Sequence, residues 1–258
     1  MSIRTLPIES LMDLSQALAQ QEPCNLQLQT SVLSPYALTL PRGFALSGKD
    51  RRSCILSFCN GDGVGLTADN RIENLTLMAT PAARAIYTQT GLEDMGSITL
   101  RDLAVTGQVS LIVRSGTRRL DLVVDKLHIA ACDCRRYSEQ PQKYGVNVYQ
   151  GALTVYNFNG DPGSVVRASL TDVTAGERQA PVIGSGVFVS GFGDNGGWVE
   201  LEQLTTSRSA ATWSPMVRMS PPLPSKAARS TRSTSGGRCW RTASVPTRSW
   251  SARMAPHP

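Results

Sequence analysis

One short pattern returns along the middle of this chain and limits what it can fold into. It reads apolar, two residues, apolar, one residue, apolar. The copies are Ile72-Glu-Asn-Leu75-Thr-Leu77, Leu100-Arg-Asp-Leu103-Ala-Val105, Val124-Asp-Lys-Leu127-His-Ile129, Leu170-Thr-Asp-Val173-Thr-Ala175 and Leu201-Glu-Gln-Leu204-Thr-Thr206. Their starts lie 28, 24, 46 and 31 residues apart. Short β-type runs recurring at that period signify a solenoid, in which each repeat buries its apolar face against its neighbours. A second ladder alternates ahead of the copies: Ile86-Tyr-Thr88, Leu111-Ile-Val113, Val146-Asn-Val148 and Val187-Phe-Val189. Alternation sends one set of side chains inward and the other outward. The predicted chain is therefore all-β, with two or three short strands per coil and aliphatic columns along the axis. Its aromatic content of only 6% suits so narrow an interior.

Taken in order, residues 1–22 are predicted to form an N-terminal cap. Ile8 to Gln21 reads as a helix with Ile8, Leu11, Met12, Ser15, Leu18 and Ala19 on one face. Ser10 and Asp13 have the spacing of a capping box, with Asp in place of the usual Glu. A helix there would cover the open strand edges that a solenoid end exposes. Residues 23–206 are predicted to form the coils. They begin with strands at Asn25–Gln29, Ala37–Leu40, Phe44–Ser47 and Cys54–Phe58, punctuated by Pro35, Pro41-Arg-Gly and Gly48-Lys-Asp.

Residues 207–258 are different material. They hold nine Lys/Arg and no Asp or Glu, together with 11 Ser and 7 Pro. Removing those nine cations from the chain's 26 leaves 17 basic against 20 acidic residues in 1–206, so the formal charge of +6 belongs to the tail. The coils themselves have no basic face of the kind that binds nucleic acid. The coil pattern stops abruptly where the tail starts. We read this segment as an irregular, out-of-frame terminus, since a GC-rich gene translated in a shifted frame yields such an Arg/Ser/Pro/Ala/Trp mixture. On that reading the solenoid is truncated. The competing reading is a basic disordered tail that binds anions such as nucleic acid.

No stretch approaches the length of a membrane span. Six cysteines without an apparent signal peptide suggest a reducing, cytoplasmic setting, although non-Sec export leaves no such N-terminal mark.

The segments Leu40-Pro-Arg-Gly-Phe-Ala-Leu-Ser-Gly48, Cys54-Ile-Leu-Ser-Phe58, Gly61-Asp-Gly-Val-Gly-Leu66 and Ile72-Glu-Asn-Leu-Thr-Leu77 resemble the opening coils of pectin-lyase-like right-handed parallel β-helix proteins. That resemblance covers about residues 5–206. It implies a right-handed parallel β-helix with a short N-terminal capping helix. It does not imply one activity, because the superfamily includes lyases, hydrolases, epimerases, adhesins and phage proteins.

The chemistry of such relatives sets what to look for. A lyase of the pectate type would need acids converging on Ca²⁺ and a base. The candidates are Asp69, Glu93, Asp94, Asp121, Asp172 and Asp194, with Arg114 as base, but they do not recur at matching places in successive coils. A polygalacturonase-like hydrolase would need Asn-x-Asp, Asp-Asp, Gly-His-Gly and Arg-x-Lys. Asn60-Gly-Asp62 and Asn159-Gly-Asp161 match the first in form, and the other three elements are absent. The paired carboxylates of a glycosidase are therefore not evident. His128, Cys132 and Cys134 offer three potential zinc ligands at an unusual spacing, and the plainer expectation is an outward His beside small, packed thiols.

Three interruptions of the repeat, at 130–145, 157–164 and 191–197, are predicted to emerge as loops on the binding face. The outward positions of the second ladder form a candidate groove: Tyr87, Gln89, Arg114, Asn147, Tyr149, Phe188 and, from the third loop, Asp194. Rings with adjacent hydrogen-bonding groups suit an extended saccharide. The plainer alternative is that these side chains pack beneath the loops. The expected function is thus a non-catalytic β-helix that binds or scaffolds and contacts polysaccharide, with no catalytic residue, metal or cofactor assigned. The alternatives are a polysaccharide-active enzyme, for which Ca²⁺ enters only in the lyase case, and an inactive fragment. Oligomeric state is left open.

Overall fold

A computed structural model describes residues 3–206 except 93, 115, 136–141, 144–145, 148–149, 178–181 and 193–195, with backbone only at 142–143 and 146–147. The tail at 207–258 lies outside the described residues. The elements run β1 (Arg4–Ile8), α1 (Leu11–Leu18), β2 (Cys24–Leu28), β3 (Val32–Ser34), β4 (Leu38–Leu40), β5 (Ala45–Gly48), β6 (Ile55–Phe58), β7 (Val64–Leu66), β8 (Arg71–Met78), β9 (Arg84–Thr88), β10 (Gly96–Thr106), β11 (Gln108–Val113), β12 (Arg119–Asp133), β13 (Gln142–Lys143), β14 (Val146–Asn147), β15 (Gly151–Asn157), β16 (Val165–Ala175), β17 (Val182–Ile183), β18 (Ser185–Ser190) and β19 (Trp198–Thr206).

Two parallel sheets are built by turns from this one chain. Sheet A runs β1-β2-β5-β8-β10-β12-β16-β19, and sheet B runs β4-β7-β9-β11-β15-β18. From β7 to β12 the chain alternates strictly between them, one strand to each sheet per coil. This is a parallel β-helix, as the repeat predicts. Four of the five copies stack in register. Leu26, Leu46, Ile72, Leu100, Val124 and Leu170 form one column, and Leu75, Leu103, Leu127 and Val173 a second. Leu38, Val64, Ile86, Val109, Leu153 and Val187 form a column on sheet B. Nearly all of these side chains are withdrawn completely from water. Each such Leu, Ile or Val contributes about 1.5–3 kcal/mol of burial.

The odd spacing within the repeat has a backbone cause. Its third position is Asn74, Asp102, Lys126 and Asp172 in the four in-register copies, and these adopt φ of 55°, 49°, 54° and 52°. A single left-handed residue turns an extended run through a corner and adds one residue to the period of two, so apolar residues on both sides still face inward. Earlier coils make the same corner with more chain. There β5 and β6 pair with the first and second halves of β8, separated by residues 49–54. Asn74 ties the one-residue corner to the six-residue one, its amide donating to the Gly48 carbonyl at 3.0 Å. In the fifth copy the third position is Gln203, which is not left-handed. That copy is out of step: Leu170 lies opposite Leu204 rather than Leu201, with register shifts on both sides.

Two further expectations are corrected. The helix covers Leu11–Leu18, with the Ser10–Asp13 capping box formed, and it buries Leu14 and Ala17, while Met12 is exposed. Ile8 belongs to β1, so counting helical turns from it displaced the predicted face. The third segment of the second ladder, between β11 and β18 on sheet B, is β15 and not Val146-Asn-Val148. Val146 and Asn147 lie in β14, paired antiparallel with β13. Among the described residues no helix is long and apolar enough to cross a membrane.

Candidate functional site on the outward flank of sheet B

The outward positions of sheet B are read off its register. Gly65, Tyr87, Ser110, Thr154 and Phe188 occupy one row along the axis. Ile112, Tyr156 and Ser190 occupy the next. Tyr156 thus stands where the sequence reading placed Asn147 and Tyr149. Asn147 sits on β14, off sheet B, and Tyr149 and Asp194 lie outside the described residues.

At one end of the flank Tyr87 is half-buried. Gly65 beneath it supplies the space, since a Cβ there would stand 2.6 Å from the Gln89 Nε2 and 3.1 Å from the Tyr87 ring. The Arg84 guanidinium lies 4.6 Å from the centre of the Tyr87 ring. Asp62 fixes that guanidinium, accepting from Arg84 Nε at 3.0 Å and from Nη2 at 2.6 Å while its other oxygen takes the Arg84 backbone N–H. Gln89 donates to Thr39 Oγ1 at 3.2 Å. Burial pushes the Tyr87 phenol above its ordinary pKa, with the Asp62 charge adding to the effect and Arg84 opposing it.

Further along, rings gather. Tyr156 meets Phe188 edge-on at 5.8 Å and Phe158 at 5.3 Å, and Phe158 meets Phe192 at 5.4 Å. Arg114 lies 5.3 Å from the Phe158 ring centre. Ile112, Tyr156 and Phe188, at 6%, 5% and 8% exposure, form an apolar cluster separate from the spine. For these three the plainer alternative of packing holds. Phe192 is 37% exposed, and Phe158, Arg114, Tyr87 and Gln89 are partly open. The flank therefore carries two accessible stations, Tyr87–Gln89–Arg84 and Phe158–Phe192–Arg114, on either side of buried packing.

Arg84, Tyr156, Phe158 and Phe192 are absent from the groove that the sequence suggested. A spacing signal was present for Tyr156. The rung positions Thr88, Leu111 and Val189 precede the next copy by 12, 13 and 12 residues; Val155 precedes it by 15, whereas Val148 precedes it by 22.

The other candidates do not converge. Asp69 pairs with Arg42 and accepts from the Ser97 N–H, Asp94 accepts from Gly96, Asp121 pairs with Arg119, and Asp172 is a corner residue. Glu93 lies outside the described residues. His128 faces outward, held by Thr174 at 2.7 Å and Glu177 at 2.9 Å, while Cys132 and Cys134 are buried with sulfurs 3.5 Å apart. Hydrogen bonding to Cys134 and burial push the Cys132 thiol far up, so it is a packed thiol rather than a ready ligand. Among the described residues no three His, Cys, Asp or Glu side chains gather as a metal site.

The loop at 157–164 also has a structural task. Asn157 donates to the Ser164 and Trp198 carbonyls, and both Asn159 and Ser164 donate to the Thr117 carbonyl. It staples a coil corner from within.

No family model matches the chain, and no curated protein matches its sequence. Among solved structures, pectin methylesterase PemA from Erwinia chrysanthemi is similar at 11% identity, over 84% of this chain and 93% of that one, with a TM-score of 0.38.

Proposed function

We propose that this chain is a non-catalytic binding protein whose sheet B flank contacts polysaccharide along the coil axis. One observation carries the reading: two stations on a single flank each set a guanidinium against an aromatic ring, Arg84 with Tyr87 and Arg114 with Phe158. A sugar ring offers an apolar C–H face to an aromatic side chain and hydroxyls to neighbouring amides and guanidinium donors. Strands in a sheet lie about 4.8 Å apart, so an extended glycan along the axis meets successive rungs at a spacing near that of its own units. A guanidinium anchored by Asp62 keeps its place without the ordering cost of a free side chain.

The test is a glycan array followed by calorimetry on the best binder. Tyr87→Ala and Phe192→Ala should each weaken binding by about tenfold, the equivalent of roughly 1.4 kcal/mol. Binding that survives both substitutions would move the contact elsewhere. Release of reducing ends, or ultraviolet absorbance from unsaturated uronides that disappears with EDTA, would replace this reading with an enzyme.

A further inference from the structure

The Asn-Gly dipeptide occurs in two Asn-Gly-Asp turns that match a hydrolase pattern in form only, Asn60-Gly61-Asp62 and Asn159-Gly160-Asp161. The same dipeptide is also the one most prone to deamidation. The backbone nitrogen of the glycine attacks the asparagine Cγ, the Cγ–Nδ2 bond breaks, and ammonia leaves with the proton from that nitrogen. Water then opens the five-membered imide at either carbonyl and gives aspartate or isoaspartate. The step needs an asparagine side chain free to swing onto the next backbone nitrogen, and a nitrogen not held in a hydrogen bond.

The two turns differ on both counts. Asn60 and Gly61 are exposed. Gly61 has φ of 71°, and a Cβ there would meet nothing within 4 Å. Among the described residues neither the Asn60 amide nor the Gly61 N–H has a hydrogen-bond partner. Asn159 is 4% exposed. Its Nδ2 donates to the Thr117 carbonyl at 2.8 Å and its Oδ1 accepts the Asp161 N–H at 3.0 Å. Releasing that side chain means opening the coil corner, so reaction there waits on local unfolding. A third pair, Asn195-Gly196, begins at a residue outside the described set.

We propose that Asn60 is a site of spontaneous deamidation and that the fold protects Asn159. This goes beyond the glycan reading and does not rest on it. The change is not inert. It adds a negative charge two residues before Asp62, and the isoaspartate product also adds a methylene to the main chain there. Asp62 is the residue that fixes Arg84 against Tyr87.

The experiment holds the folded, full-length chain at mildly alkaline pH and follows each asparagine by site-localised mass spectrometry of its peptides, with a urea-unfolded sample alongside. In the folded chain Asn60 should convert at least about tenfold faster than Asn159, while in urea the two should convert at similar rates because local sequence alone then governs. A folded-state ratio no larger than the ratio in urea would overturn the proposal, as would an Asn60 that stays intact while Asn159 reacts.

Discussion

On the sheet A flank, one row of outward positions reads Ser47, Glu73, Arg101, Asp125 and Thr171. On the sheet B flank, the row through Tyr87 reads Gly65, Tyr87, Ser110, Thr154 and Phe188. Both rows are carried by the same coils at the same rung spacing. In the first, Arg101 reaches Glu73 at 3.5 Å and Asp125 at 3.6 Å, so charge alternates along the stack and is matched within it. Opposite charges on facing strands favour the native register, and like charges would penalise a slipped one. The second row itself holds no charge, and its Ser110, Thr154 and Phe188 are buried, so what the flank offers beside it is the partly open rings and guanidinium groups of its two stations. A solenoid separates these tasks easily, because alternation gives every rung outward positions that the spine does not use.

Four substitutions sharpen or break that contrast, taken from the largest expected effect. Leu103→Ala removes a fully buried side chain from the spine that both flanks share. It should destabilise by about 2–5 kcal/mol, read as a fall in melting temperature, and binding should disappear at the temperature where the fold does. A second transition in which one flank survives would show that the flanks are independent. Next come the corners of sheet A. Asp102→Ala places a residue with no local hydrogen-bonding group in the left-handed region and should cost about 1–2 kcal/mol, whereas Lys126→Asn should stabilise by about 0.5–1 kcal/mol. Neither should alter glycan affinity; a change would mean that sheet A takes part in binding. Smallest is Arg101→Ala, which should cost less than about 1 kcal/mol and less still in high salt, because its ion pairs are exposed. Loss of glycan binding in that variant would reverse the assignment of the two flanks.

The spine was readable because burial imposes its own period, and four copies of the pattern lie in register with one another. The capping box was readable because Ser10 and Asp13 act within four residues of one another. The left-handed corners were half-readable. Asn74, Asp102 and Asp172 are types that tolerate positive φ, but Lys126 is not, so composition alone does not reveal the corner. β1 went unseen because Pro7 argues against a strand. It is tolerated there because β1 is the terminal strand of sheet A, where the missing N–H need not serve a partner. Tyr156 was missed because Val146-Asn-Val148 and Leu153-Thr-Val155 alternate equally well, and only the distance to the next copy separates them. The Arg84–Asp62 pair joins residues 22 apart across two coils, and no local pattern encodes it.

The longest gap between copies, 46 residues from Val124 to Leu170, leaves no trace in the stack: ten successive pairs join β12 and β16 with no shift. Chain can thus be added at that junction while the rungs on either side keep their phase. Among the described residues only the ends of the inserted stretch are tied to the framework, through Cys134 in the core and Gln150 against Gln108, so an insertion placed between them leaves the phase of the aliphatic columns untouched.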